Sequence, residues 1–432
     1  GILFFSALEI MKSNKLFFTL FFILLLTLIK DVRFNLGPNI NLSEVLIFLI
    51  LILNYIKSIS SKYKNNSILK ISNKFKKIYF FLLYYYIFIM IFSLIDGADY
   101  RAIMGRFRNL YFALLTFFVG LNFFNSTYEI KKIFKILNVF FVVAFLIGVL
   151  NALSPIPFLT PDNFEEQSYT MIINQPIGSI VILITLLSFL KIFFKKGLGI
   201  NYILILLIFV AIVGSQNRSL ILLFVISILI ILFLLLINKK INLHVILFFS
   251  LTFISFYFIL NNISEYDFTE KYLKRYSIMA DEVSGDRSFK DSQLMLRIGR
   301  TIATFDHYLE NPIFGPGWKY NFYELKIYDL YGKFLKTAYG TPHNYFINQL
   351  LQTGIVGLIF MLRIFYLVHK IIKPKVKISK KAIIDYSLYI TFILILVFNF
   401  FNVYLYGTPA YIGVTFFLMG LSVSHITLKY KT

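Results

Sequence analysis

Apolar segments, most of them ended by lysines or a polar turn, follow one another along nearly the whole of this chain, and they decide its solvent. Runs at about 16–29, 42–56, 78–95, 110–125, 136–153, 171–190, 202–214, 219–238, 244–260, 354–369, 386–404 and 410–428 read as twelve membrane spans. A helix needs roughly 20 residues to cross the hydrocarbon layer, so the shorter runs are expected to continue as helix into their flanks. The sixth is interrupted by Asn174-Gln175-Pro176. Of 432 residues 58% are hydrophobic and 15% charged, against about 25% charged in soluble domains. The expected fold class is therefore an all-α polytopic membrane protein. Cysteine is absent, which excludes a disulfide framework, a thiolate metal site and a cysteine nucleophile. Residues 1–10 precede the first methionine, Met11, and carry no weight in this reading.

The net charge of +22 invites a nucleic-acid reading, which its distribution removes. With the N-terminus inside, alternate loops face the cytoplasm. That inside set holds 25 of the 43 Lys and Arg but only three of the 21 acids, Glu9, Glu129 and Asp385, and so accounts for the whole net charge. Basicity partitioned this way is the positive-inside pattern of membrane topology. The same register puts three polar features outside: the loop 261–342, the turn carrying Arg218, and the loop 96–109 with Arg101, Arg106 and Arg108. The chain divides accordingly into spans one to nine (1–260), an external loop (261–342) and spans ten to twelve (343–432). That loop is too short for a conventional domain but long enough for two or three helices capping the membrane part.

Polar chemistry concentrates between about Leu294 and Gly354. Met295, Ile298, Ile302, Phe305 and Leu309 recur at three- and four-residue steps and predict an amphipathic helix. Arg297, Arg300, Thr301 and Thr304 fall on its other face. Asn311-Pro312 ends it, and Phe314-Gly315-Pro316-Gly317 predicts an irregular turn. His343 and Asn344 then stand immediately before another apolar helix. Two arginines on one face, a glycine turn and a loop histidine amount to an anion site with a candidate base.

Each candidate has a plainer alternative. Arg218 sits in a tight external turn behind Ser215, Gln216 and Asn217; it could snorkel to head groups, but a turn this short leaves it little room to swing away. Arg297 and Arg300 could simply solvate a helix face. Arg363, two turns before Lys370, reads as snorkelling. His244, His369 and His425 belong to the cytoplasmic side, so His307 and His343 are the external histidines. A neutral imidazole at 343 could take a hydroxyl proton near pH 7, or could merely cap the helix. No outward carboxylate or histidine cluster has metal-ligand spacing, so no metal or other cofactor is expected. No glycine loop of the nucleotide-binding type is present. External arginines without a metal suit a lipid-linked diphosphate, whose oxygens their planar forks bind in pairs.

Three motifs taken in order resemble the O-antigen polymerases and O-antigen ligases of bacterial envelopes. They are Gly214-Ser215-Gln216-Asn217-Arg218-Ser219; the arginine helix closing on Asn311-Pro312-Ile313-Phe314-Gly315-Pro316-Gly317; and His343-Asn344-Tyr345 followed by Gly354-Ile355-Val356-Gly357-Leu358. The resemblance spans about 215–358. It implies a membrane glycosyltransferase fold of the GT-C-like kind with about twelve helices and one large, partly helical periplasmic loop. It implies metal-independent, inverting transfer of a glycan from undecaprenyl diphosphate in the bacterial inner membrane, with the site facing the periplasm. Arg218 and Arg297 would match the family's diphosphate-binding arginines and His343 its base. Substrate-binding roles would fall to Arg300, Asn344, Gln216, Asn217, Arg106 and Arg108. Gln349 and Gln352 stand where many members carry an acid.

The FGPGW and TPHNYF segments favour the polymerase branch, whose acceptor is a second undecaprenyl-diphosphate-linked repeat unit. A ligase would instead transfer to lipid A core. A lipid-linked oligosaccharide flippase would need polar residues along its helices on both sides, whereas here they gather outside. The expected partners are the lipid-linked oligosaccharide, the bilayer and a chain-length-regulating membrane protein, with no nucleic acid.

Overall fold

A computed structural model describes residues 33–35, 39–41, 73–97, 100, 103, 107, 113–114, 116–117, 119–121, 126–153, 175–195, 199–214, 218–238, 250, 293–317, 325–328, 334–338, 344–375, 378–379, 381–401 and 409–430. These form helices α1 (Asn73–Ile95), α2 (Thr127–Leu153), α3 (Gln175–Lys195), α4 (Gly199–Gly214), α5 (Arg218–Ile237), α6 (Gln293–Glu310), α7 (Tyr345–Ile372), α8 (Ile383–Phe401) and α9 (Pro409–Lys429). The protein is helical, as its hydropathy requires. Two short antiparallel hairpins depart from the all-α expectation. The first pairs β1 (Arg33–Asn35) with β2 (Asn39–Asn41) across a Leu-Gly-Pro sequence, and the second pairs β3 (Leu325–Tyr328) with β4 (Phe334–Ala338). The second lies in the loop 261–342, which thus contains strand as well as helix, and α6 packs against β3. The apolar runs at 16–29, 42–56 and 244–260 lie essentially outside the described residues.

Two cores share α8 and α9. In the first, α3 is central and packs on α2, α4, α5, α8 and α9. Every residue from Ile180 to Leu190 is buried, as befits a helix apolar around its whole circumference. The second core gathers α1, α7, α8 and α9 around Tyr86, Tyr345, Phe365 and Phe392. Helix α3 begins at Gln175, so Pro176 opens the helix rather than interrupting a span. Proline fits there because the first helical N–H has no partner within the helix.

Helices α1, α5 and α7 each leave an apolar stripe uncovered. On α5 it runs through Leu222, Val225, Leu229, Phe233 and Leu236, and on α7 through Ile355, Ile359, Leu362 and Tyr366. Stripes this long, at helical spacing, are unfavourable in water and suit hydrocarbon. Among the described residues, α7 is the helix long and apolar enough to cross a membrane on length and composition. Three helix ends meet on one side. Lys429 at the end of α9 donates to the carbonyl of Lys381 before α8 (3.0 Å), and Lys375 just beyond α7 lies over the Tyr430 ring. At the opposite end, the turn after α6 meets the last turns of α1 and the stretch of α7 around Gly354.

Candidate functional site

Helix α6 is strongly amphipathic, and the face it turns into the protein is the one that carries Ala303, Thr304 and Tyr308. Thr304 is fully buried, and Ala303 and Tyr308 pack with Leu351 and Ile347 of α7. Helical register places position 297 two turns before Thr304 on the same line and position 300 one turn before it. Both arginine positions therefore belong to the face directed at α7. The apolar residues Ile302, Phe305 and Leu309 are exposed.

After Glu310 the chain makes the irregular turn that Asn311-Pro312 and the glycines predict. The Gly315 N–H closes it on the carbonyl of Asn311 at 2.8 Å. This turn docks into a break in α7. Gly354, at φ 61° and ψ −172°, interrupts the helix, so the first N–H groups beyond it lack helical acceptors. The turn supplies them: Ile355 N–H donates to Pro312 O at 3.1 Å and Val356 N–H to Ile313 O at 3.4 Å. Backbones approach so closely that a Cβ at Gly315 would lie 2.5 Å from Leu351 O, and one at Gly354 would collide with Ile313 O. Both glycines also hold positive φ, which a side chain resists. Phe314 completes the dock, its ring 5.9 Å from that of Phe88 on α1.

The first turns of α7, before the break, carry most of its buried polarity. Asn344 is the N-cap, its Oδ1 accepting from Ile347 N–H at 3.1 Å. Its predicted substrate-binding role thus competes with a cap that already uses that oxygen. Asn348, Gln349, Gln352 and Thr353 are all fully buried. Gln349 Nε2 donates to the Tyr86 hydroxyl at 3.0 Å and to Thr353 Oγ1 at 3.2 Å. The Tyr85 hydroxyl donates to Thr353 O at 2.6 Å. Gln352 Nε2 donates to Asn348 Oδ1 at 3.3 Å. Three amide atoms, Asn348 Nδ2, Gln349 Oε1 and Gln352 Oε1, have no hydrogen-bond partner among the described residues. The i,i+4 spacing of these side chains is visible in the sequence; their partners Tyr85 and Tyr86 are not, being two of 29 tyrosines.

Arg297 and Arg300 lie in α6, Arg218 opens α5, and Asn344 caps α7. His343, Gln216, Asn217, Arg106 and Arg108 fall outside the described residues. The structure thus brings the helix bearing Arg297 and Arg300 against the helix that starts beside His343, whereas α5 packs on α3, α4 and α8.

A second polar cluster stands at the other end of the helices. Asp385 is fully buried, with Oδ1 3.0 Å from His425 Nε2. Its Oδ2 accepts from Lys429 Nζ at 2.6 Å and from the Tyr430 hydroxyl at 3.0 Å. Burial and the bond to Asp385 push the Tyr430 phenol up to about 12. Charge partition assigns Asp385 and His425 to the same cytoplasmic side, but 40 residues separate them and no local pattern pairs them.

Helices with uncovered apolar stripes, joined by one amphipathic helix docked on a broken span, define a helical membrane protein with a polar site at one end. Residues 203–362, from α4 to two-thirds of the way along α7, match the family model described as O-antigen ligase. The match supports the O-antigen ligase and polymerase superfamily that the three sequence motifs resemble, a family of glycosyltransferase-like membrane enzymes. The match covers just over a third of the chain and includes the α6 helix, its turn and the α7 break. A comparison with curated proteins finds no match.

Proposed function

We propose that this protein is an O-antigen polymerase of the bacterial inner membrane. It transfers the growing glycan from undecaprenyl diphosphate to a lipid-linked repeat unit on the periplasmic side. The observation that carries the reading is the dock of the Asn311–Gly317 turn into the α7 break at Gly354. It fixes the inward face of α6 beside the start of α7, and the whole arrangement lies within the family match.

In this mechanism Arg218 and Arg297 hold the donor diphosphate, with Arg300, Arg106 and Arg108 adding positive charge. An acceptor hydroxyl attacks the anomeric carbon from the face opposite the diphosphate. The new glycosidic C–O bond forms as the bond to the phosphate oxygen breaks, which inverts the anomeric centre. His343 takes the hydroxyl proton. Undecaprenyl diphosphate leaves with the electron pair, its growing charge stabilised by the arginine forks. Gln216, Asn217 and Asn344 contribute neutral hydrogen-bonding groups, and no metal takes part. A chain-length-regulating membrane protein is the proposed partner.

The alternative is an O-antigen ligase, favoured by the description of the matched family; it shares the donor chemistry and differs in acceptor. Purified protein incubated with lipid-linked repeat unit, with and without lipid A core, separates them. A glycan ladder without core supports the polymerase. Transfer only with core establishes the ligase and removes the polymerase. Movement of lipid-linked glycan across vesicles with no change in its length would instead indicate a flippase.

A further inference from the structure

The orientation of α6 carries an inference about where this helix lies. An amphipathic helix covering a protein in water buries its apolar face and exposes its polar one. Helix α6 does not bury its apolar stripe: Ile302, Phe305 and Leu309 are 47%, 41% and 66% exposed, while Thr304 is 0% exposed. The exposed apolar surface continues into the turn through Ile313 and Phe314. From there it runs, by way of the Phe314–Phe88 ring contact, onto the uncovered aromatic stripe of α1. The Ile355 end of the α7 stripe begins at the same dock.

We infer that α6 and its turn form an interfacial platform, with Ile302, Phe305, Leu309, Ile313 and Phe314 seated in the outer boundary of the bilayer. The occupant is bilayer lipid, because this surface is continuous with the uncovered stripes of α1 and of the membrane-crossing helix α7. Asp306 and Glu310, both exposed, mark the water edge. A helix of this kind sits with its apolar face on the order of 5–10 Å into the head-group and acyl boundary. Its opposite face, the one that carries positions 297 and 300, then lies at head-group depth, where the diphosphate of a membrane-anchored donor must be. The inference rests on the transferase reading and deepens it by adding a lipid surface as a built-in partner of the arginine helix.

The cysteine-free chain allows a direct test. Single substitutions Phe305→Cys, Leu309→Cys and Asp306→Cys, each labelled with a small fluorophore, are reconstituted into nanodiscs. The lipid probe is phosphatidylcholine with a nitroxide near the top of the acyl chain, and the aqueous probe is iodide. Labels at 305 and 309 should be quenched by the lipid probe at least about twofold more than the label at 306, with iodide giving the reverse order. Strong iodide quenching at 305 and 309 would overturn the inference by placing the stripe in water. Protection from both probes would overturn it by placing the stripe against protein. Both leaflets of a nanodisc are present and no catalysis is read, so failure of the polymerase assignment leaves this result intact.

Discussion

The N–H of Ile355 donates to the carbonyl of Pro312 at 3.1 Å, joining the middle of a long apolar helix to the end of an amphipathic one. This bond and its neighbour from Val356 exist because Gly354 leaves the helix for one residue. Gly354→Ala should therefore do more than strain a positive φ: the new methyl meets Ile313 O and separates the two segments. A cost on the order of 2 kcal/mol or more is expected. Thermal unfolding of the detergent-purified variant, read beside transfer activity, checks this. An unchanged midpoint and full activity would show that the dock is dispensable.

The buried carboxylate of Asp385 binds three partners that arrive from the end of α9 and the residue beyond it. Asp385→Ala strips His425, Lys429 and Tyr430 of their shared acceptor. Breaking a buried pair costs about 3–5 kcal/mol, and the low end applies here because Lys429 reaches water. The expected result is a lowered unfolding midpoint with normal donor affinity in the protein that remains folded. Loss of donor binding at an unchanged midpoint would contradict a purely structural role.

The charge partition makes a topological prediction independent of the site. Ser284→Cys should label from outside intact cells, and Asn66→Cys only after the cytoplasm is opened. The reverse pattern would turn the arginine helix to the cytoplasm and remove the proposed mechanism.

Transfer should persist in excess EDTA, since the arginines supply the positive charge that a cation supplies elsewhere. Activity lost in chelator and restored by magnesium or manganese would replace this mechanism.

Arg218, Arg297 and His343 should fail differently. A lysine cannot reproduce a planar fork, so Arg218→Lys and Arg297→Lys should lose on the order of a hundredfold in rate and bind donor poorly. His343→Ala should also stop turnover, yet keep donor affinity, because the proton acceptor is lost while the diphosphate keeps its arginines. Titration of undecaprenyl-diphosphate donor into monodisperse variants distinguishes them. Equal affinities, or an active His343→Ala, would show the roles to be misassigned.

Much of this molecule is legible in its amino-acid sequence. Apolar runs predict most of the described helices, whose ranges agree with those runs to within several residues. Asn311-Pro312 and the following glycines announce a turn, and the structure contains one. These signals are local: periodicity, proline and glycine act within a few residues of themselves. The hairpin at Leu325–Ala338 escapes such a reading because short strands carry a weak periodic signal and are completed by a partner.

Tertiary structure alone decided three further matters: that Gly354 breaks α7 to receive the turn, that Gln349 meets Tyr86, and that Asp385 meets His425 across 40 residues. It also decided the sense of α6. Amphipathicity gives a helix two faces but not their destinations, because an apolar stripe is as well satisfied by lipid as by a protein core. Only the packing of Ala303 and Tyr308 on α7, with Thr304 buried and Leu309 exposed, sets the Thr304 face inward.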